Sequence, residues 1–190
     1  MNALLTLWLP ILVSSVAVFF ISSIVHMLLP WHHGDYREVP DQDRVMDALR
    51  PFNIPPGDYM MPRPSKMADM RTPEFQAKRA KGPVMIMTVL PSGPITGMGK
   101  YLTSWFIYIV IVSAMVACVT FAAVGATVSD HRIFHFAAVT SFIAYAVAAW
   151  PMSIWMGRPW STTFKMTVDA VLFALATGLV FTWLWPTWIV

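Results

Sequence analysis

Four long apolar segments constrain this 190-residue chain more than any other feature of its sequence. They cover approximately residues 3–29, 101–128, 132–156 and 165–185. Each holds the roughly 20 apolar residues that a helix needs to cross about 30 Å of hydrocarbon. Because backbone N–H and C=O groups cannot stay unpaired in lipid, helix is the expected state of all four segments. The sequence therefore predicts an all-α membrane protein with four transmembrane helices.

Composition and motif content argue against a soluble enzyme. Charged residues make up 12% of the chain, about half the share found in soluble domains. The first segment lacks the basic start and small-residue cleavage site of a signal peptide, so we expect it to be retained. The single cysteine, Cys118, excludes a CxxC motif. No phosphate-binding loop, nucleophile elbow or pair of catalytic carboxylates is found. The sequence favours a protein without enzymatic activity and offers no catalytic residue.

The distribution of basic residues predicts the orientation of the helices. Residues 30–100 contain ten Lys or Arg, whereas the short connection between the second and third segments holds only Arg132. The positive-inside rule then makes residues 30–100 a cytoplasmic insertion of about 70 residues, with both termini outside. This topology explains the net charge of +3 without a nucleic-acid partner.

The insertion is rich in proline and nearly balanced in charge. Residues 41–50 are expected to form a short helix, with acidic residues in its first turn. Thr72, followed by Pro73 and Glu74, is expected to cap a second helix that ends at Gly82. Residues 83–91 are too few to span a bilayer, so an interfacial segment, a strand and a re-entrant segment all remain open. The interfacial interpretation is preferred.

Two groups of histidines have the composition of metal sites. His32, His33 and Asp35 follow the proline that ends the first helix. His131 and His135 are spaced i, i+4, so they share a helix face and could chelate a metal, with Asp130 as a third ligand. Their sequence lacks the glutamate of the HExxH zinc motif. In both places the preferred interpretation is a polar helix end at the membrane surface.

Asp169 is the only acidic residue inside an apolar segment. Ionisable groups in a membrane usually face the bundle interior and a partner. Lys165, four residues earlier, is the preferred structural partner. His26 lies at a matching depth on the first helix, so a functional His26–Asp169 pair is the alternative. Serines on the first helix, such as Ser14, are expected to pack against other helices.

Several motifs resemble those of a group of small bacterial membrane proteins with four predicted helices and no assigned function. The motifs are WHHGDY (31–36), PGDYMMP (56–62), KGPV (81–84), IWMGRPW (154–160) and WLWP (183–186). The resemblance covers most of the chain and implies a bacterial inner-membrane location. It implies no chemistry for any residue.

Three functions follow from these expectations, in order of preference. The first is a non-enzymatic accessory, scaffold or assembly component in contact with the bilayer and with a protein partner or further copies of itself. Trp155, Arg158 and Trp160, on the short loop between the third and fourth helices, are then expected to face the insertion. The second is a small proton- or ion-coupled transporter that uses His26 and Asp169. The third is a metal-binding membrane protein; no other cofactor is expected.

Overall fold

The four predicted long helices are all present in the structure, which is a computed structural model describing residues 3–94, 97–124 and 129–186. Four helices are long and apolar enough to cross a membrane: Trp8–Leu28, Gly99–Val124, Asp130–Met156 and Trp160–Trp183. The structure therefore confirms the prediction of four long apolar helices. The predicted end of the second helix at residue 128 lies outside the described residues.

The element bounds are as follows. The helices are α1 (Ala3–Thr6), α2 (Trp8–Ser23), α3 (Gln42–Leu49), α4 (Pro73–Lys81), α5 (Gly99–Val124), α6 (Asp130–Ala146), α7 (Trp150–Met156) and α8 (Trp160–Trp183). Short 3₁₀ turns cover Pro30–His32, Arg50–Phe52, Met67–Arg71 and Val147–Ala149, a π turn covers Ile24–Leu28, and the strands are β1 (Gly57–Met61) and β2 (Met85–Val89). The fourth long helix thus begins at Trp160 rather than near Lys165.

The long helices pack around a shared core. α2 and α6 each contact both α5 and α8. The main buried cluster comprises Leu7, Ile11, Val112, Val116, Ala117, Val124, Ile133, Ala137 and Phe181. Most other large apolar side chains on these helices are exposed. An apolar outer surface is what a helix in hydrocarbon requires, because lipid replaces water as its solvent.

Small and hydroxyl-bearing residues lie where these helices meet. Ser14 Oγ of α2 lies 3.0 Å from Ser113 Oγ of α5, and both residues are buried. At Gly178 of α8, an added Cβ would come within 2.9 Å of the Phe134 ring on α6. Small residues allow such close approach, and buried hydroxyls bond across the interface because lipid offers no alternative partner. The expected packing role of Ser14 is confirmed.

Two of the long helices contain irregular turns. The first ends in the π turn Ile24–Leu28, where the Leu29 N–H donates to the Ile24 carbonyl over 3.1 Å. The third changes to a 3₁₀ turn at Val147–Ala149, just before Pro151. Proline cannot donate a backbone hydrogen bond and disturbs the preceding turn, which explains the second irregularity.

A second compact unit, Arg37–Thr96, adds one two-stranded sheet to a chain that is otherwise helical in its regular structure. Its β1 and β2 pair antiparallel, with Tyr59 opposite Met87, and Thr88 donates a hydrogen bond to Asp58 across the strands over 2.6 Å. Residues 85–89 are therefore a strand, one of the three forms that the sequence left open. β2 alternates in burial along its length, as expected for a strand with one covered face.

The two short helices predicted in this unit are confirmed. α3 covers Gln42–Leu49. α4 begins after Thr72, whose Oγ1 accepts a hydrogen bond from the Phe75 N–H over 3.3 Å, and ends at Gly82 with φ of 65°. The hydroxyl cap satisfies one N–H of the first turn, and glycine adopts a positive φ after the last turn without the steric cost that a side chain would bring.

Candidate functional site

The end of the first long helix brings two histidines together. After the π turn, Leu29 is extended, and Pro30–His32 forms a 3₁₀ turn. The imidazole of His32 then stacks on that of His26, with ring centroids 4.4 Å apart and an angle of 8° between the planes. π turns within helices occur frequently at functional sites, because they shift side chains away from the regular helical spacing.

Asp169 of α8 meets this histidine pair inside the bundle. The residue is only 3% exposed. Its Oδ2 lies 2.8 Å from Nε2 of His32. Its Oδ1 is buried and has no hydrogen-bond partner among the described residues. A buried carboxylate oxygen without a partner is costly in a low-dielectric interior, so this atom is a position where a ligand would be stabilised.

A second carboxylate holds the opposite edge of His32. Nδ1 of His32 lies 2.6 Å from Oδ2 of Asp35, and Lys165 donates to Oδ1 of Asp35 over 2.7 Å. Burial raises the pKa of the Asp35 carboxyl, but the hydrogen bonds from Lys165 and His32 and their charges outweigh it and leave the pKa below 3.8. Asp35 is therefore ionised at neutral pH. The Lys165 ammonium also lies over the Trp31 ring, 5.8 Å from its centre.

The hydrogen bonds of His32 constrain its protonation. An ionised carboxylate only accepts hydrogen bonds. Both ring nitrogens of His32 face carboxylate oxygens, so both must carry hydrogen if Asp35 and Asp169 are ionised. The group then contains two negative charges and two positive ones, those of His32 and Lys165. This balance is what makes a set of buried charges tolerable at the edge of a membrane.

The same residues form a potential metal-binding set. One ligand atom from each of His26, His32 and Asp169 lies within 4.8 Å of the others, and this is the one such group of three among the described residues. Ligands about 2.1 Å from a tetrahedral ion lie about 3.4 Å apart. The 2.8 Å contact between His32 Nε2 and Asp169 Oδ2 would therefore have to open around an ion, and any separation near 4.8 Å would have to close. Two imidazoles and a carboxylate suit Zn²⁺ or Fe²⁺.

The hydrogen bonds behind these ligands match those of protein metal sites. Metal-bound histidines usually use their second nitrogen to bond a carboxylate or a backbone carbonyl. Nδ1 of His26 lies 3.0 Å from the Ser22 carbonyl, which leaves its Nε2 free. Nδ1 of His32 is held by Asp35, which leaves Nε2 for a metal in place of its contact with Asp169. The donor set and its supports therefore fit a divalent transition metal.

Other predicted site residues lie apart from this group. His33 is exposed. His131 and His135 stack on each other at 6.2 Å near the start of α6. Asp130, on the same helix, is exposed. The described residues bring no third ligand to this pair within the distance expected of a metal site.

The three residues predicted to face the insertion from the loop between the third and fourth long helices differ in their exposure. Trp155 and Trp160 are 77% and 58% exposed. Arg158 is partly buried, and its Nη1 lies 3.4 Å from Sδ of Met166 on α8. Whether the three face the insertion stays a prediction.

The sequence predicts the wrong hydrogen-bond partner for both Asp169 and Lys165. It favours Lys165 as the partner of Asp169, but the Lys165 ammonium bonds Asp35 instead. The residue that bonds Asp169 is His32, which the sequence groups with the loop. His26 and Asp169, which the sequence places at equal depth, both contribute to this group. Equal depth gives no indication of the 3₁₀ turn at Pro30–His32 that brings His32 to them. The i, i+3 spacing of His32 and Asp35 is the one local signal of their contact.

Comparison of the chain with protein-family models, with curated proteins and with solved structures found no match. The geometry of the cluster is therefore the basis for a functional assignment.

Proposed function

We propose that this is an integral membrane protein that binds a divalent transition-metal ion through His26, His32 and Asp169. One observation carries the proposal. Both histidines have one ring nitrogen engaged in the manner of a metal ligand, and they meet a buried carboxylate that has an unpartnered oxygen. Three protein ligands leave a fourth position open on a tetrahedral ion, as in metal sites that bind a further ligand.

The test of this proposal is to measure metal binding by the purified protein in mild detergent. After chelator treatment and anaerobic titration, we expect one Zn²⁺, Fe²⁺ or Co²⁺ per chain. His32→Ala and Asp169→Asn should each weaken binding by about 100-fold or more, since each removes a ligand. His33→Ala is the matched control, because it changes the adjacent, exposed histidine. Equal binding by wild type and His32→Ala, or no binding by the folded wild type, would refute the proposal.

The location follows from the sequence and is part of the proposal. The four apolar helices indicate a multi-pass membrane protein. The bias of Lys and Arg supports a cytoplasmic position for residues 30–100 with both termini outside. The resemblance to small bacterial membrane proteins supports the bacterial inner membrane. Labelling of Ser92→Cys and Asp130→Cys in intact cells, in a Cys118→Ser background, would test the orientation. Only the cysteine at position 130, on the outer face, should react.

A proton-coupled transporter is a second candidate, and one observation favours it. Lys165, Asp35, His32 and Asp169 form a continuous chain of hydrogen bonds. Such a chain could move a proton between the end of the first helix and the bundle interior. Proton flux into liposomes that persists in chelator and disappears in Asp169→Asn would favour this function over metal binding.

The accessory or assembly role also remains a proposal. The compact unit Arg37–Thr96, with its two-stranded sheet, supports it, because both strands keep an edge that a partner strand could pair with. Deleting residues 42–89 should abolish co-purification of a partner and leave metal binding by the helices intact.

A further inference from the structure

A cavity of about 330 Å³ lies beside the histidine cluster, within the helical unit. Part of its wall is aromatic: Trp105 stacks on Tyr108 with centroids 5.4 Å apart, and Tyr145 meets Phe173 edge to face at 5.3 Å. The volume is at the lower end of the range for small-ligand pockets. It can hold a headgroup and the first atoms of an attached chain, and it is too small for a whole lipid.

Arg158 supplies the positive charge of this cavity. Within the part of the chain that the structure describes, the one side-chain hydrogen bond of its guanidinium goes from Nη1 to the thioether of Met166, which is a weak acceptor. None of the ion pairs among the described residues includes Arg158. A partly buried guanidinium without a carboxylate keeps most of its donors for another oxyanion, and its planar shape suits the two oxygens of a phosphate.

The position of Arg158 suggests where such an oxyanion comes from. It lies between Met156 and Trp160, where the third long helix ends and the fourth begins. The exposed Trp155 and Trp160 flank it, and exposed tryptophans at helix ends mark the depth of lipid headgroups. Basic pockets between membrane helices at this depth bind anionic headgroups.

We propose that this cavity binds the phosphate of an anionic phospholipid. The phosphate bonds the Arg158 guanidinium, and the apolar part of the lipid lies against Trp105, Tyr145 and Phe173. Asp169 also lines the cavity, but its Oδ2 is engaged by Nε2 of His32 at 2.8 Å. The proposal does not depend on a metal, because neither Arg158 nor the aromatic wall belongs to the ligand set.

The test is a titration of the purified protein in neutral detergent and excess chelator, followed by native mass spectrometry. The probes are short-chain phosphatidylglycerol and glycerol 3-phosphate. Arg158→Gln should weaken phosphatidylglycerol binding about tenfold or more, since it removes a charge-assisted pair. Arg132→Gln is the matched control: it removes an exposed arginine from the start of α6 and should change affinity by about twofold at most.

A second variant fills the cavity without altering its charge. Ala148 lines the wall and is exposed, so Ala148→Leu should fold and should also weaken binding. Equal affinity of wild type and a folded Arg158→Gln or Ala148→Leu would overturn the proposal. Glycerol 3-phosphate binding as tightly as the lipid would overturn the lipid source and leave a soluble phosphate ester as the ligand. Because chelator is present throughout, failure of the metal proposal does not affect this result.

Discussion

Two pairs of histidines, His26–His32 and His131–His135, look similar when only their rings are compared. Both are stacked, at 4.4 Å and 6.2 Å between centroids. Their surroundings differ. His32 bonds a carboxylate on each side, one from the following loop and one from α8. His131 and His135 share one helix near its start. Helical spacing alone can stack two imidazoles, but only the tertiary contact with α8 adds the Asp169 carboxylate that completes a possible set of three metal ligands.

The largest expected difference between the two regions is in stability. Asp169→Ala would leave His32 without its partner inside the bundle, and breaking a buried charged pair costs about 3–5 kcal/mol. Asp130→Ala removes an exposed acid from the start of α6, which is worth about 0.3–1 kcal/mol through the helix dipole. Unfolding in detergent, followed by circular dichroism, measures both. Equal destabilisation by the two variants would contradict the contrast.

The next largest effect is expected in metal affinity, through the Asp35 carboxylate that bonds His32. Asp35→Asn keeps the shape of the side chain that holds His32 but removes its charge and its ion pair with Lys165. Changes of this kind typically reduce metal affinity about 10- to 100-fold, and we expect that range in a Zn²⁺ titration. Asp43→Asn, an exposed acid on α3, is the control. An unchanged affinity in Asp35→Asn would show that His32 is not held for metal binding.

At the other end of the bundle, packing should matter more than charge. Gly178→Ala would place a Cβ 2.9 Å from the Phe134 ring and 3.1 Å from Ala138 Cβ. Overpacking of this size should cost about 1 kcal/mol or slightly more, with no change in metal affinity. Gly99→Ala is the matched control, since no atom of the described residues lies within 4 Å of its added Cβ. A more stable Gly178→Ala protein would indicate that α6 and α8 are less closely packed than described.

The smallest effect is expected in the dependence of folding stability on acidic pH. The folded-state pKa of Asp35 lies below its usual 3.8, so its contribution to stability is fully present above that value and is lost as pH falls through the folded pKa. The stability difference between wild type and Asp35→Asn should therefore be constant near neutral pH and shrink below about pH 4. Thermal unfolding midpoints across this range measure it. A constant difference down to about pH 2 would mean that Asp35 gains nothing from Lys165 and His32.

Local sequence signals predicted the elements that depend on nearby residues. Apolar length predicted the four long helices. Thr72, Pro73 and Gly82 predicted the limits of α4, because capping and glycine geometry act within one turn. The pairing of β1 with β2 was missed. Its two strands are separated by α4 and lack a short turn between them, so the alternation of β2 could not identify a partner.

The sequence by itself determined that this chain has four helices suited to hydrocarbon, since the number of consecutive apolar residues sets the length of helix that lipid can accept. It also determined that Asp169 needs a partner, because an isolated charge inside a membrane is costly. Only the tertiary structure decided that the partner is His32. In a continuous helix, positions 26 and 32 point about 120° apart. The break at Leu29 and the turn at Pro30 bring their rings together, and the packing of α2 against α8 brings Asp169 to them.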